Sequence, residues 1–319
     1  MRRLLGAIVL LAGLATPAAA QPQRFALVIS GASGGETYAG LYREWTDAFS
    51  RTLAGPLGFD PANMTVLTDS TEPGRLATAA NVRKAITGVR QRMRAGDLLF
   101  VLLIGHGTYD GEDAKFNLVG PDLESAEWLS LLDPLPGRVA IVNTTSGSFP
   151  FIERLSGPQR IVVTATDSMA QRFDTVFAEY FIRAFGDETA DLDRNGRISI
   201  WEAFAAGSAG VRRHYQQRGQ LATERALLDD NGDGVGSSAA QQGEDGAQAS
   251  RTYLQEARPG APPTDEALIK LLQRKALLEA ELEELKIRRK FLPAEEYARE
   301  FERIITEYAK VSSEIRRRT

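Results

Sequence analysis

The chain has 319 residues, of which 43% are hydrophobic and 25% charged, the composition of a globular protein able to bury a sizeable core. A formal net charge of -4 gives no basic excess, so nucleic acid is not an expected partner. There is no cysteine, which excludes disulfides, a cysteine nucleophile, thiolate metal sites and a lipid-modified N-terminal cysteine.

Residues 1–20 read as a secretory signal. Arg2 and Arg3 supply the positive start, Leu4 to Leu14 an apolar stretch too short to span a bilayer, and Ala18-Ala19-Ala20 the small residues at a cleavage site. The mature chain is expected to begin near Gln21 and to be exported, to the periplasm or beyond the cell. No later segment has an apolar run of membrane length.

From Arg24 on, short β-branched runs alternate with helical patterns. The predicted strands are Phe25–Ser30, Met64–Thr68, Leu98–Ile104, Val139–Asn143 and Ile161–Ala165. Several are apolar almost throughout, as strands of a parallel sheet covered on both faces should be. Helix faces are carried by Leu41, Trp45, Phe49 and Leu53, and by Val82, Ile86, Val89 and Met93. A third helix is expected around Trp128, Leu131 and Leu132, and a fourth around Phe173, Val176, Phe177, Tyr180 and Phe181. This alternation predicts an α/β fold over residues 21–228, a mostly parallel sheet with helices on both faces. Its chemistry should gather at the carboxyl ends of strands, at Gly31–Glu36, Gly105–Asp113, Thr144–Phe149 and Thr166–Ser168.

Residues 229–262 are rich in Gly, Ala, Gln and Ser and read as a flexible linker. Over 263–319, Leu268, Leu271, Leu278, Leu282, Leu285 and Leu292 fall on heptad core positions. Past Pro293, Tyr297, Phe301, Ile304, Tyr308, Val311 and Ile315 repeat by four and three. Pro293 opens a helix more readily than it sits inside one, so an antiparallel helical hairpin turning near Leu292–Glu295 is predicted. Its two stripes are expected to bury each other; the other reading is a seam for a partner chain.

Residues 191–202 read Asp-Leu-Asp-Arg-Asn-Gly-Arg-Ile-Ser-Ile-Trp-Glu, the twelve-position spacing of an EF-hand calcium loop. Asp191, Asp193 and Asn195 would offer side-chain oxygens, Arg197 its carbonyl, Ser199 a hydroxyl or a bridging water, and Glu202 both carboxylate oxygens. Gly196 permits the sharp turn and Ile198 pins the loop to the core. Asp229, Asn231, Asp233 and Gly234 begin a similar loop whose twelfth position is Ala240, so a second ion would bind weakly or call on Glu244 or Asp245.

The chain has two histidines. His214, in Arg-Arg-His-Tyr, reads as a surface residue on an exposed helix. His106 lies between glycines directly after the strand Leu98–Ile104. That position suits base work; the alternative is a ring that hydrogen-bonds a neighbouring loop.

The stretch Leu102-Leu103-Ile104-Gly105-His106-Gly107 resembles the strand-His-Gly element of the caspase and legumain-type cysteine peptidases. Val139 to Gly147 is similar to their second element, an apolar strand running into Ala-Cys-x-Ser-Gly, and aligning Ser146-Gly147 there places Thr144 at the cysteine. The resemblance covers about residues 24 to 186 and extends to the order of elements. It implies a caspase-hemoglobinase fold and, in active members, a Cys-His dyad that cuts peptide bonds. Here an alcohol stands where the thiol should be. A thiol ionises near pH 8.5, within reach of a histidine, whereas an aliphatic hydroxyl needs an oriented base and an oxyanion hole. The expectation is therefore a degenerate peptidase domain, braced by calcium, that binds a polypeptide or cell-envelope partner through its cleft or hairpin. One alternative is a hydrolase using His106 with Thr144 or Ser146, oriented by Asp110, Asp113 or Asp167. The other is a calcium-stabilised structural protein whose cleft is filled by side chains such as Phe149 or Tyr109.

Overall fold

The computed structural model describes residues 22–171, 173–239, 245–256, 265–289 and 292–318; the expected signal segment, 1–20, lies outside them. In chain order the elements are β1 (Arg24–Ser30), α1 (Glu36–Ala54), β2 (Met64–Leu67), α2 (Ala79–Arg92), β3 (Leu98–Ile104), β4 (Gly107–Tyr109), β5 (Ala114–Phe116), β6 (Leu123–Glu124), α3 (Ser125–Leu132), β7 (Arg138–Asn143), α4 (Pro150–Leu155), β8 (Arg160–Thr164), α5 (Phe177–Ala184), α6 (Ile200–Gln217), β9 (Leu227–Asp229), α7 (Glu266–Arg288) and α8 (Ala294–Arg318).

The five predicted strands form the parallel part of one six-stranded sheet, in the order β2-β1-β3-β7-β8-β9. Strand β3 shows why a continuous apolar run is needed. Its alternate residues Phe100, Leu102 and Ile104 enter one core, and Leu99, Val101 and Leu103 enter the other. Helices α1, α5 and α6 cover the first face through Trp45, Phe49, Phe177, Phe181 and Phe204. Helices α2, α3 and α4 cover the second through Val82, Ile86, Trp128, Phe151 and Leu155.

Several features depart from the sequence-based expectations. The short antiparallel sheet β4-β5-β6 and the antiparallel edge strand β9 were not foreseen. Helix α5 begins at Phe177 rather than near Phe173, which is 66% exposed. The cause is distant in sequence: buried Glu224 accepts hydrogen bonds from Val176 N at 2.8 Å and Phe177 N at 3.1 Å, satisfying the amides that open the helix.

The stretch read as a flexible linker is held against the domain at several of its described positions. Asp229, Asp230, Ala249 and Leu254 are all buried. Asp230 anchors the return of the chain, accepting from Gly246 N at 2.8 Å and Ala249 N at 2.6 Å. Small residues gave this stretch no periodic apolar signal, but buried carboxylates hold its backbone in place.

The two C-terminal helices form the predicted hairpin around Leu278, Leu285, Ile304 and Val311. Cross-helix pairs Arg274–Glu307 at 2.6 Å, Glu281–Arg303 at 2.9 Å and Asp265–Arg318 at 3.1 Å fix its antiparallel register. At its base Leu268 and Leu272 join the core of the first sheet face. Phe301, expected in the inner stripe, is 38% exposed and stacks on Tyr297 instead. Among the described residues no helix is long and apolar enough to cross a membrane.

Candidate functional site

Strand β3 leaves the sheet through Gly105 and places His106 beside the turn that follows β7. Backbone packing there is close: a Cβ on Gly107 would lie 2.3 Å from Thr145 Oγ1 and 2.4 Å from Ser146 O. Only glycine lets the two turns meet. The three hydroxyls of the second turn are turned to protein acceptors. Thr144 donates to Leu103 O at 2.7 Å, Thr145 to Asn143 Oδ1 at 2.8 Å, and Ser146 to Gly107 O at 3.2 Å. All three residues are buried.

The imidazole of His106 is held from both sides. Its Nε2 lies 3.2 Å from Ser33 O and 3.2 Å from the Tyr42 hydroxyl; its Nδ1 lies 3.3 Å from Asp174 Oδ1. The ring of Tyr38 meets it edge-on at 4.8 Å, and the Tyr38 hydroxyl donates to the Asp174 carboxylate. That bond raises the Tyr38 pKa, and burial raises that of Tyr42, so both phenols stay protonated. Both ring nitrogens are thus already engaged by protein groups, Nε2 by Ser33 O and the Tyr42 hydroxyl and Nδ1 by Asp174.

None of the three acids considered from the sequence orients this ring. Asp110 accepts from Glu112 N and Asp113 N within the β4–β5 turn, Asp113 closes that turn, and Asp167 pairs with Arg225 at 3.3 Å. The acid is Asp174, in a stretch whose aromatic spacing reads as helix. Its neighbour Thr175 donates to Thr144 O, so this segment straps over both turns. Tyr109 and Phe149 pack edge-to-face at 5.5 Å, with Tyr109 Cβ 3.5 Å from the position of a Cβ on Gly147. His214 is half-buried rather than a free surface residue: its Nδ1 lies 3.1 Å from the Tyr180 hydroxyl, and burial lowers its pKa.

The loop 191–202 brings its acids together. One carboxylate oxygen each from Asp191, Asp193 and Glu202 lies within 4.8 Å of the others, a group of hard oxygens that could hold a metal ion. Gly196 takes φ 79°, the left-handed turn the spacing anticipates, and its N–H donates to Asp191 Oδ2 at 2.8 Å. Asn195 N donates to Asp191 Oδ1 and Asp193 Oδ1, both at 3.1 Å. Ser199 caps α6: its hydroxyl accepts from Glu202 N at 3.2 Å, while Glu202 Oε2 accepts from Ser199 N at 2.8 Å. Burial pushes the Glu202 carboxyl up to about 7, and burial together with the Asp191 charge raises that of Asp193. Arg197 lies with its guanidinium 3.8 Å over the ring of Tyr253.

The second loop is built differently. Asp229 accepts from Gly232 N at 2.9 Å, Gly234 N at 2.8 Å and the Ser156 hydroxyl at 2.8 Å. Asn231 Oδ1 accepts from Asp233 N at 2.8 Å, while Asp233 accepts from Val235 N at 2.7 Å and from Asn231 Nδ2 at 3.1 Å. Asp245 instead accepts from Ser237 Oγ at 2.6 Å. Among the described residues, only the group at 191–202 gathers three acidic ligands; Ala240 and Glu244 lie outside them.

No family model matches the chain. No curated protein matches it in sequence. Among solved structures it is similar to the crystal structure of protein GSU0716 from Geobacter sulfurreducens, with a TM-score of 0.42 and 16% identity over 65% of this chain and 93% of that one. The fold itself is a mixed α/β fold with a mostly parallel sheet.

Proposed function

We propose that this is an exported calcium-binding protein, periplasmic or secreted, built on a degenerate caspase/legumain-type domain that binds a polypeptide or cell-envelope partner without cutting it. The observation that carries the reading is the convergence of Asp191, Asp193 and Glu202 within 4.8 Å inside a twelve-position loop with glycine at its sixth place. Three acids this close, one of them deeply buried, repel one another unless protons or a cation intervene. Calcium would supply that positive charge. The side chains of Asp191, Asp193, Asn195 and Glu202 would hold it, with the Arg197 carbonyl and Ser199 completing the set.

The absence of hydrolysis is supported by the strand ends. Thr144, Thr145 and Ser146 direct their hydroxyls to protein oxygens, and His106 faces Ser33 O and Asp174. A hydrolase using His106 with Thr144 or Ser146 would have to turn that hydroxyl away from Leu103 O or Gly107 O and free the ring at the same time. The packing of Tyr109 on Phe149 favours a filled cleft. For the partner, the groove between α6, the 220–226 segment and α7 presents Leu221 and Ile287, 83% and 67% exposed, beside the hairpin.

Two measurements test the reading. Calcium titrated into the metal-free protein should change the emission of Trp201, which lies buried inside the loop, and Glu202→Gln should abolish the change. A fluorophosphonate probe and a peptide library should find neither labelling nor turnover. Turnover lost in His106→Ala would sink the non-hydrolytic reading.

A further inference from the structure

The loop 191–202 is contiguous in sequence, yet two of its six candidate ligand residues contact one side chain far along the chain, and a third pairs with the backbone of that same residue. The segment around Tyr253 runs antiparallel to the end of the loop. Ser199 pairs with Tyr253 across an isolated bridge, and Ile200 N donates to Thr252 O at 2.9 Å. The Tyr253 hydroxyl accepts from Asn195 Nδ2 at 2.9 Å, and its ring lies under the Arg197 guanidinium at 3.8 Å. Asn195, Arg197 and Ser199 therefore all contact Tyr253.

The contact to Asn195 has a chemical consequence. An asparagine ligates a cation only through Oδ1; its Nδ2 is a donor and repels one. The two ends are nearly equal in size, so packing alone does not decide which faces the loop interior. Here Nδ2 has two acceptors, Asp193 Oδ2 at 2.8 Å and the Tyr253 hydroxyl, while Oδ1 accepts from Arg197 N at 2.9 Å. A cation drawn to the Asp193 carboxylate would compete for the first acceptor. The Tyr253 hydroxyl is the second acceptor.

We propose that Tyr253 is a positioning residue of the calcium loop: its hydroxyl gives Asn195 Nδ2 an acceptor other than Asp193, so that Oδ1 can turn to an ion bound there, and its ring steadies Arg197. The inference rests on the calcium reading above. It also makes the 245–256 segment part of the site, since that segment ties back to β1 and β7 through Arg24 to Leu254 O and Arg138 to Thr252 Oγ1.

The test is calorimetric titration of calcium into the full chain, wild type and Tyr253→Phe, alone and combined with Asn195→Asp. Phenylalanine keeps the ring under Arg197 and removes only the hydroxyl. Tyr253→Phe should weaken calcium binding about fivefold, the size of one net hydrogen bond. In the Asn195→Asp background both carboxylate oxygens are ligands, orientation no longer matters, and the same change should cost less than about twofold. A purely structural role for Tyr253 would weaken binding equally in both backgrounds and overturn the proposal. Wild-type affinity retained in Tyr253→Phe would overturn it while leaving the calcium reading intact. If the wild type itself binds no calcium, both fall.

Discussion

Replacing Glu224 with glutamine should remove a pH-dependent part of the protein's stability. The side chain is 3% exposed, with its two oxygens on the opening amides of α5 and a third contact from the Tyr215 hydroxyl at 3.2 Å. Burial dominates over these bonds and pushes its pKa from 4.5 up to about 7. Between those values the native state keeps a proton that the unfolded chain has released, so stability falls as pH rises through this window and levels off above it. At 1.36 kcal/mol per pKa unit the displacement is worth about 3 kcal/mol. Guanidinium denaturation of the wild type and Glu224→Gln, compared from pH 4.5 to 8, isolates the effect, because titrations of groups common to both proteins cancel in the difference. The wild type should lose about 3 kcal/mol relative to the variant between pH 4.5 and 7, and nothing more above that. A difference that stays flat across the window would refute the burial argument.

Two further outcomes test the packing. Leu278→Ala empties a fully buried position of the hairpin core and should lower stability by about 2–5 kcal/mol in denaturant melts, whereas a loss well under 1 kcal/mol would show that the helices do not bury each other. Gly107→Ala places a methyl 2.3 Å from Thr145 Oγ1, so thermal denaturation should show about 1–3 kcal/mol of destabilisation; an unchanged melting temperature would show that the β7 turn is not seated on Gly107.

Much of the fold is legible in the sequence because a strand covered on both faces must be apolar at every residue, as Leu98–Ile104 is. The turn and acidic cluster of the loop 191–202 are legible for another reason: the residues that form them are contiguous, so spacing alone displays them. What escaped depends on contacts between distant residues. Edge strand β9 is three residues long and ends in an Asp/Gly stretch, and its identity comes from pairing with β8. The residues 245–256 carry no apolar period, and it is the Asp230 carboxylate that fixes their backbone. The start of α5 is set by Glu224, 47 positions away from Phe177, so aromatic spacing carried the expected helix back to Phe173. The same misreading concealed Asp174, the acid beside His106. A histidine flanked by glycines at a strand end marks the place from sequence alone, but which groups face its ring is decided by the α1 tyrosines and the strap from 173 to 176.

The account turns on whether the cluster of Asp191, Asp193 and Glu202 exists to hold an ion. Calorimetric titration of calcium into the metal-free protein, repeated with Glu202→Gln, measures this directly. We expect saturable binding of one ion at the loop, lost or strongly weakened when the buried carboxylate becomes an amide. No heat of binding in the wild type, or binding indifferent to Glu202→Gln, would contradict it.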